Sequence, residues 1–405
     1  MARNARKSTQ SRYIAQENDA EIQSDTDEAK ENTAEKSLYL YTAMIGKRTY
    51  LVITAGGTGR RLWPASRRER PKQFVDFFGT GRTLLQQTFD RFARFIPAEN
   101  ILISTFKDYV PLVREQLPEV PEANILAEPV QLSTAPALAW ATCRVARRRS
   151  DALMFVSPSD QHIDDEVDFE RQVRRALNHV AEHPVAVALG ARPTAPLTSY
   201  GYIQKGESLS PSDNLYAVKS FSEKPDEGYA RMFVESGEFV WNTGLFCWSV
   251  ETMMRRLATL MPEAIDYMRH NLGQGLASCA EPDFIERIYP SNLYQSIDLV
   301  LLDRPADVLV QECTFGWSDV GSWTELRRML SSDVDGNASN VPTLLRDTTD
   351  TLVRLPEGRA AVICGLKGYI VTEHDGVLLV CPSGDESLVR RLLPQVQMTL
   401  GEEYV

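Results

Sequence analysis

Residues 56–74 read GGTGRRLWPASRRERPKQF, directly after the apolar run Tyr50-Leu51-Val52-Ile53. Gly56, Gly57 and Gly59 open the stretch, and Arg61, Pro64, Pro71 and Lys72 follow. A tight turn with a solvated basic loop is the plainest reading. A dinucleotide-binding turn requires a helix to begin inside the glycines, so that pyrophosphate meets the helix N-terminus. Here Pro64 and Pro71 come too soon for a regular helix, and Leu62 stands where a third glycine belongs. A Walker loop requires Gly-Lys-Ser/Thr, which does not follow. What remains is a long loop leaving a strand end. Its glycines let backbone N–H groups approach an anion closely. Arg61, a bidentate fork, and Lys72, a compact point charge, can converge on one oligophosphate. The prolines stiffen the loop, so less ordering entropy is lost when a ligand arrives. The stretch is expected to hold a triphosphate without using a helix.

The totals are compatible with that. At 405 residues the chain can bury a large core and form one big domain plus a smaller one. A net charge of -11 opposes general binding to nucleic acid or a membrane surface, though not a local cationic pocket. The six cysteines contain no CxxC pair, so neither a zinc site nor a disulfide framework is indicated, as suits a reducing cytoplasm. No apolar run approaches the ~18–20 residues of a membrane span. Arg3, Arg6 and Lys7 precede no apolar stretch, so no secretory signal is read. Residues 1–37 are polar and acid-rich, and residues 1–45 are expected to be a disordered tail, with Met44 an alternative start.

From Lys47 to about Ser332, short β-branched runs alternate with helical patterns. Strands are expected at Leu51–Ala55, Ile101–Thr105, Leu153–Ser157, Val185–Leu189, Ala217–Phe221, Gly244–Trp248 and Val308–Cys313, with amphipathic helices over 83–95 and 168–183. This order predicts an α/β fold: a Rossmann-like, mostly parallel sheet covered on both faces, over residues 46–335. Ligands on such sheets sit beyond the carboxyl ends of the strands, so the turns after 55, 157 and 313 are where chemistry is sought. After the polar stretch 331–340 the texture becomes all-β. Residues 336–405 are expected to form a small C-terminal β domain, a sheet or short left-handed β-helix-like solenoid, closed by a helix near Glu386–Leu393.

The nineteen-residue stretch, as GGxGxRLWPxSRxxxPKQF, resembles the signature of mannose-1-phosphate guanylyltransferases, within the sugar-nucleotide pyrophosphorylases. Further matches follow in the family's order across most of residues 50–385. The resemblance implies a nucleotidyltransferase fold of GT-A-like type, with Arg61 and Lys72 on the departing pyrophosphate and Gly56, Gly57 and Gly59 on the nucleotide. In FVSPSDQHIDD (155–165), Asp160 matches the family's magnesium-binding Asp, where otherwise it reads as a helix N-cap. The family's following His is replaced by Gln161, with His162 one place later. In FGWSDVGSW (315–323), Asp319 matches the second metal carboxylate, where otherwise it reads as a turn residue before Gly321. Two hard oxygen ligands plus phosphate oxygens and waters are what Mg²⁺ accepts.

In FSEKPD (221–226), the resemblance puts Lys224 on the sugar 1-phosphate and Glu223 on sugar hydroxyls; a surface turn is the alternative. WNTGLFCW (241–248) contributes Asn242 and SYGYI (199–203) contributes Gly201 to the sugar side. EPVQLSTAPALAWA (128–141) places Glu128, Ser133 and Thr134 near the nucleobase, with Ser133 where the family has Asn; Ser133 also reads as a helix N-cap. The activity implied is transfer of GMP from GTP to α-D-mannose 1-phosphate, with Mg²⁺ as cofactor, a homodimer as assembly, and neither nucleic acid nor membrane as partner. Longer family members append a cupin-type isomerase; no His-rich segment of that kind is seen, so only the transferase is expected. A pyrophosphorylase for another nucleotide and sugar phosphate, or a non-catalytic sugar-nucleotide sensor, are the alternatives.

Overall fold

In a computed structural model, residues 46–260, 262, 265–266, 296–303, 305–385 and 388–405 are described. The expected tail over 1–45, Met44 and Cys279 lie outside the described residues. Arg48–Val405 forms one compact unit.

The expected strands form; Val308–Cys313 keeps its bounds, most others are longer, and Ala55 and Val185 fall just outside theirs. The central sheet holds β1 (Thr49–Thr54), β2 (Ile101–Phe106), β3 (Ile125–Glu128), β4 (Leu153–Pro158), β6 (Ala186–Ala191), β7 (Tyr202–Ser210), β8 (Leu215–Ser222), β9 (Phe239–Ser249) and β10 (Val308–Cys313); β5 (Gln161–Ile163) stands outside it. Their order is β3-β2-β1-β4-β9-β6-β10-β8-β7. The parallel pairs β3–β2, β2–β1, β1–β4 and β6–β10, combined with the antiparallel neighbours, leave only β8 and β9 opposed to the other seven strands. The sheet is thus mixed but mostly one-directional, and its parallel half leads. Leu51, Val52 and Ile53 of β1 are all fully buried, the continuous apolar run that a strand covered on both faces requires. Each such side chain contributes about 1.5–3 kcal/mol on burial. Two strands lacked a strong sequence signal: β3 is only four residues long, and β7 carries the polar run Gln204–Ser210 on an edge.

Among the helices, α1 (Leu84–Ala93) begins at a capping box between Thr83 and Gln86. Helix α2 (Thr134–Arg148) and helix α3 (Glu166–Glu182) cover the sheet, and Asp165 caps α3 by accepting from Val167 N and Asp168 N. Helix α4 (Ile297–Leu302) packs on α2, which places its first turn over the sheet's carboxyl edge. A two-stranded antiparallel ribbon joins β5 to β11 (Trp317–Asp319), in the register Asp319↔Gln161 and Trp317↔Ile163. This ribbon was not expected from sequence; three-residue strands are too short to show a period.

After residue 337 the chain coils. The strands β12 (Ala338–Ser339), β14 (Leu352–Arg354) and β16 (Tyr369–His374) stack in parallel, β13 (Thr343–Arg346) stacks in parallel on β15 (Ala361–Cys364), and β17 (Val377–Pro382) closes antiparallel on β16. Parallel stacking of successive short strands is solenoid geometry, one of the two forms expected. A last helix, α5 (Leu388–Thr399), follows. The inner side chains Ala338, Leu352, Ile370, Val377 and Leu379 share one apolar cluster with Leu62, Trp63, Phe77, Val320 and Trp323, so the solenoid packs on the loop after β1.

Candidate active site

The segment 56–74 forms no α-helix. It makes two single turns, Arg60–Leu62 and Lys72–Phe74, separated by the proline-bearing loop. Gly59 has φ 60°, and a Cβ there would stand 2.5 Å from Ser66 Oγ and 2.8 Å from Lys72 Cγ. Any side chain would therefore push Lys72 out of place. Gln73, buried, donates to the carbonyls of Ala55 (2.8 Å) and Gly57 (3.0 Å), pinning the glycine turn from behind.

The last residues of four parallel strands, Thr54, Phe106, Glu128 and Pro158, line one cleft of about 620 Å³. It lies where an α/β sheet places ligands. Gly56 and Gly57 line it from the strap, Glu128, Ser133 and Thr134 from the β3–α2 turn, and Asp160 from the turn after β4. Gly201, Glu223, Lys224 and Asn242 line the opposite wall, and Asp319 the floor. Gly59, Arg61 and Lys72 do not line the cleft; they stand behind its wall.

The centre of the site is ionic. Lys72 Nζ lies 2.7 Å from Asp160 Oδ2 and 3.8 Å from Asp319 Oδ1, and donates to Val320 O at 2.9 Å. The β5–β11 ribbon makes this possible, because Val320 N donates to Asp160 O across it. Carboxylates 159 residues apart in sequence thus end on one ammonium. A Cβ on Gly321 would stand 2.5 Å from Asp319 Oδ2, 2.6 Å from Glu325 Oε2 and 2.8 Å from Arg61 Nη2. Arg61 therefore joins the same cluster, and Gly321 is the gap its head fills. Burial works against the charge on Lys72, but Asp160 and Asp319 outweigh it and its pKa is raised. Burial, reinforced by Asp160 and Glu325 and opposed chiefly by Lys72, lifts Asp319 to about 7. Tyr200 is raised as well, first by burial and then by Glu325 and Asp319.

On the other wall, Lys224 Nζ lies 2.8 Å from Glu223 Oε1, both substantially exposed. Lys224 holds φ 45°, uncommon for a side chain other than glycine, asparagine or aspartate. Asn242 Nδ2 donates to Asp298 Oδ1 at 2.6 Å, and Asn242 Oδ1 accepts from Gly244 N. Burial raises the Asp298 carboxyl, opposed by that amide. A Cβ on Gly201 would stand 3.0 Å from Glu223 Oε2, so the bare backbone lets that carboxylate in. Ser133 occupies the N-cap position of α2, but its hydroxyl makes no capping bond. Glu128 accepts from Ser104 Oγ at 2.8 Å.

Other expectations resolve locally. Gln161 faces the cleft and donates to Thr243 O, while the ring of His162, on the opposite face of β5, sits 4.8 Å from that of Phe78. The Thr243 hydroxyl donates to Leu189 O at 2.6 Å, bracing the bulge that residues 243–244 make in β9 opposite β6. Trp323 is pure packing, donating to Trp63 O, whereas Trp317 also lines the cleft. Sequence reasoning missed Gln73, Tyr200, Asp298 and Glu325 as site neighbours. Ser322-x-x-Glu325 was a readable helix-start pattern, and Ser322 Oγ does accept from Glu325 N. Asp298 carried no local signal; only its long-range bond to Asn242 reveals it.

This mostly parallel sheet, with a glycine-loop cleft at its carboxyl edge, defines a nucleotide-handling α/β protein. The nucleotidyl transferase family model matches residues 50–335, and the chain belongs to that family. Within it, the chain is 34% identical over 363 residues to a mannose-1-phosphate guanylyltransferase of Klebsiella pneumoniae, covering 87% of this chain and 75% of the relative. It is 32% identical over 372 residues to the protein of that name from Escherichia coli K12, covering 89% and 76%. A crystal structure from Thermus thermophilus, described as a mannose-1-phosphate geranyltransferase, superposes with TM-score 0.77 at 28% identity, over 86% of this chain and 99% of that one.

Proposed function

We propose that the protein transfers GMP from GTP to α-D-mannose 1-phosphate, releasing pyrophosphate and forming GDP-mannose. The names of its relatives support this reading. The observation that carries it is the meeting of Asp160, Asp319 and Lys72 at the base of a cleft whose other wall presents Glu223, Lys224 and Asn242. The pair Asp160 and Asp319 fits a hard divalent ion, Mg²⁺ in this reading. Their oxygens converge on one cationic point, and two carboxylates with phosphate oxygens and waters make a ligand set that such an ion accepts. Such an ion, when bound, would neutralise phosphate charge and orient the reacting oxygens.

The chain's own residues do the rest. The phosphate oxygen of the sugar is already anionic at neutral pH, so the attack needs no general base. The task is to bring two anions into line at the α-phosphorus. Glu223 and Asn242 orient the sugar and Lys224 its phosphate. Gly56 and Gly57 offer backbone N–H groups, and Glu128, Ser133 and Thr134 meet the base. Arg61 and Lys72 set positive charge beside the reacting phosphates. Pyrophosphate release from four nucleoside triphosphates against several sugar 1-phosphates, with and without Mg²⁺, tests the reading. It expects the largest rate for GTP with mannose 1-phosphate, and only with the metal; no release from that pair rejects it.

A homodimer fits the outward apolar side chains Leu344 and Val362 on β13 and β15 and Leu378 and Val380 on β17. Light scattering that returns one chain's mass at all concentrations would reject it. A cytoplasmic setting suits both substrates and the five free cysteines among the described residues. Among those residues no helix is long and apolar enough to cross a membrane.

A further inference from the structure

The carboxyl edge of the sheet has two mouths. Strand β9 runs antiparallel between β4 and β6, and so divides the parallel set β3-β2-β1-β4 from the parallel pair β6–β10. The first set ends in the cleft described above. The second ends, at Ala191 and Cys313, in another cavity of about 690 Å³. Ligands on α/β sheets sit beyond the carboxyl ends of parallel strands, and a space of this size suits a small molecule. The proposed reaction makes no use of it.

The partition between the two is thin. Tyr200 and Trp317 line both cavities. Successive residues of a strand face opposite ways, so in the β5–β11 ribbon Asp319 enters the cleft and Ser318 the second cavity. Asp164, the residue after β5, is fixed there: its N–H donates to Gly316 O at 3.1 Å, and a Cβ on Gly316, at φ 65°, would collide with its carboxylate. Arg192 and Arg328 add positive charge to the lining. Arg192 Nε donates to Glu312 Oε1 at 2.8 Å, but Glu312 Oε2 also takes Lys205 Nζ at 2.6 Å, so one positive charge is left over. The side chains of Thr194, Ser318 and Arg328 make no hydrogen bond or ion pair among the described residues. The cavity thus offers guanidinium groups, uncommitted hydroxyls, a carboxylate and an aromatic wall.

We propose that this cavity is a second ligand site, for a sugar monophosphate, whose filling is felt at Asp319. Arg192 and Arg328 take the phosphate, whose oxygens match the guanidinium fork. Asp164, Thr194 and Ser318 exchange hydrogen bonds with sugar hydroxyls, and the C–H face of the ring packs on Trp317. Of the aromatic lining, Tyr200, Trp241 and Phe315 are buried and Trp317 alone is half-open, which makes one platform for a pyranose and no slot for a flat base. The route to the cleft is short. The Tyr200 hydroxyl bonds both the Glu325 carboxylate and the backbone of Asp319. Glu325 itself lines the second cavity, accepts from Ser199 Oγ at 3.3 Å and adjoins Arg61 across Gly321. A ligand that shifts Tyr200 or Glu325 therefore shifts a carboxylate of the reacting centre.

Calorimetric titration of glucose 6-phosphate and mannose 6-phosphate into the full chain tests the site without requiring turnover. With no phosphate on the anomeric carbon, neither can stand in for the acceptor in the cleft. At least one is expected to bind. Arg328→Ala should weaken that binding about tenfold, the loss of a charge-assisted bond, and Ala195→Trp, which fills the cavity, should abolish it. Lys224→Ala, on the cleft wall, should leave the affinity within about twofold. In assays of pyrophosphate release, the same sugar phosphate should change kcat about fivefold or more in the parent and leave it unmoved in Arg328→Ala. Circular dichroism checks that the variants are folded. Binding lost in Lys224→Ala but kept in Arg328→Ala would put the ligand in the cleft and overturn the proposal. So would binding of neither hexose phosphate, or Arg328-dependent binding of GMP alone. Binding that leaves the parent's kcat unmoved overturns the link to Asp319. Arg328-dependent binding by a chain that makes no GDP-mannose sinks the reaction proposed above and leaves the second site standing.

Discussion

The two walls of the cleft are built on different principles. Behind the glycine turn, charge is buried and braced: Lys72 is 8% exposed and clamped by two carboxylates and a carbonyl, while Gln73 pins the turn above it. On the opposite wall, Glu223 and Lys224 pair at the surface, while the Asn242–Asp298 bond is more sheltered. A buried, pre-set ion network loses little entropy at the moment of reaction, which is where stabilisation of developing charge counts most. An exposed pair is screened by solvent and can rearrange, which suits recognition of a substrate more than catalysis. In the proposed reaction the first is the nucleotide wall and the second the sugar wall, and the difference would assign rate to one and affinity to the other.

The strongest way to break that division is Asp160→Asn or Lys72→Ala. Either is expected to cut kcat by roughly 10²–10³ with little change in KM for mannose 1-phosphate; near-parental turnover would refute the nucleotide wall's role. Gly59→Ala attacks the bracing itself. With φ at 60° and Lys72 Cγ 2.8 Å from the new Cβ, it should destabilise the fold by about 1–3 kcal/mol in denaturant melts and lower kcat as well. Lys224→Ala is the sugar-wall counterpart, expected to raise KM for mannose 1-phosphate about tenfold while kcat moves only a fewfold. A large kcat effect there would erase the distinction.

The smallest effect concerns Asp298, whose carboxyl is raised by burial. A carboxyl with a folded pKa above its unfolded value penalises the fold when ionised, so the penalty is present at high pH and disappears as pH falls through the raised pKa. Asp298→Asn should therefore melt a few degrees higher than the parent at pH 8, with the gain shrinking toward pH 4. A gain that grows as pH falls would reverse the sign.

Much of this was legible because it is local. The glycine–proline–cation strap announces a loop that cannot become a helix, and the apolar runs before residues 55, 157 and 313 announce strand ends. What stayed hidden is long-range. Nothing in Gln161–Ile163 or Trp317–Asp319 signals a ribbon, yet that ribbon unites the two acids. The strap's cations were read as bare phosphate ligands; in the fold they first serve the carboxylates, a pairing that only three-dimensional proximity reveals. Asp298 and Tyr200 enter for the same reason. The solenoid was visible as β texture, but its partner, the loop around Trp63, was not.

That last contact reaches beyond stability. Trp63 Nε1 donates to Tyr404 O at 2.6 Å across 341 positions, Trp323 Nε1 donates to Trp63 O, and Arg354 Nη2 donates to Asp76 O. The loop after β1 is therefore held from outside by the coil of residues 338–382 and the segment that follows it. A chain whose sheet is complete can still have this loop slack, so competence to react should wait on the docking of the coil. Drift in the coil would then be inherited as altered kinetics, far from any residue that touches substrate.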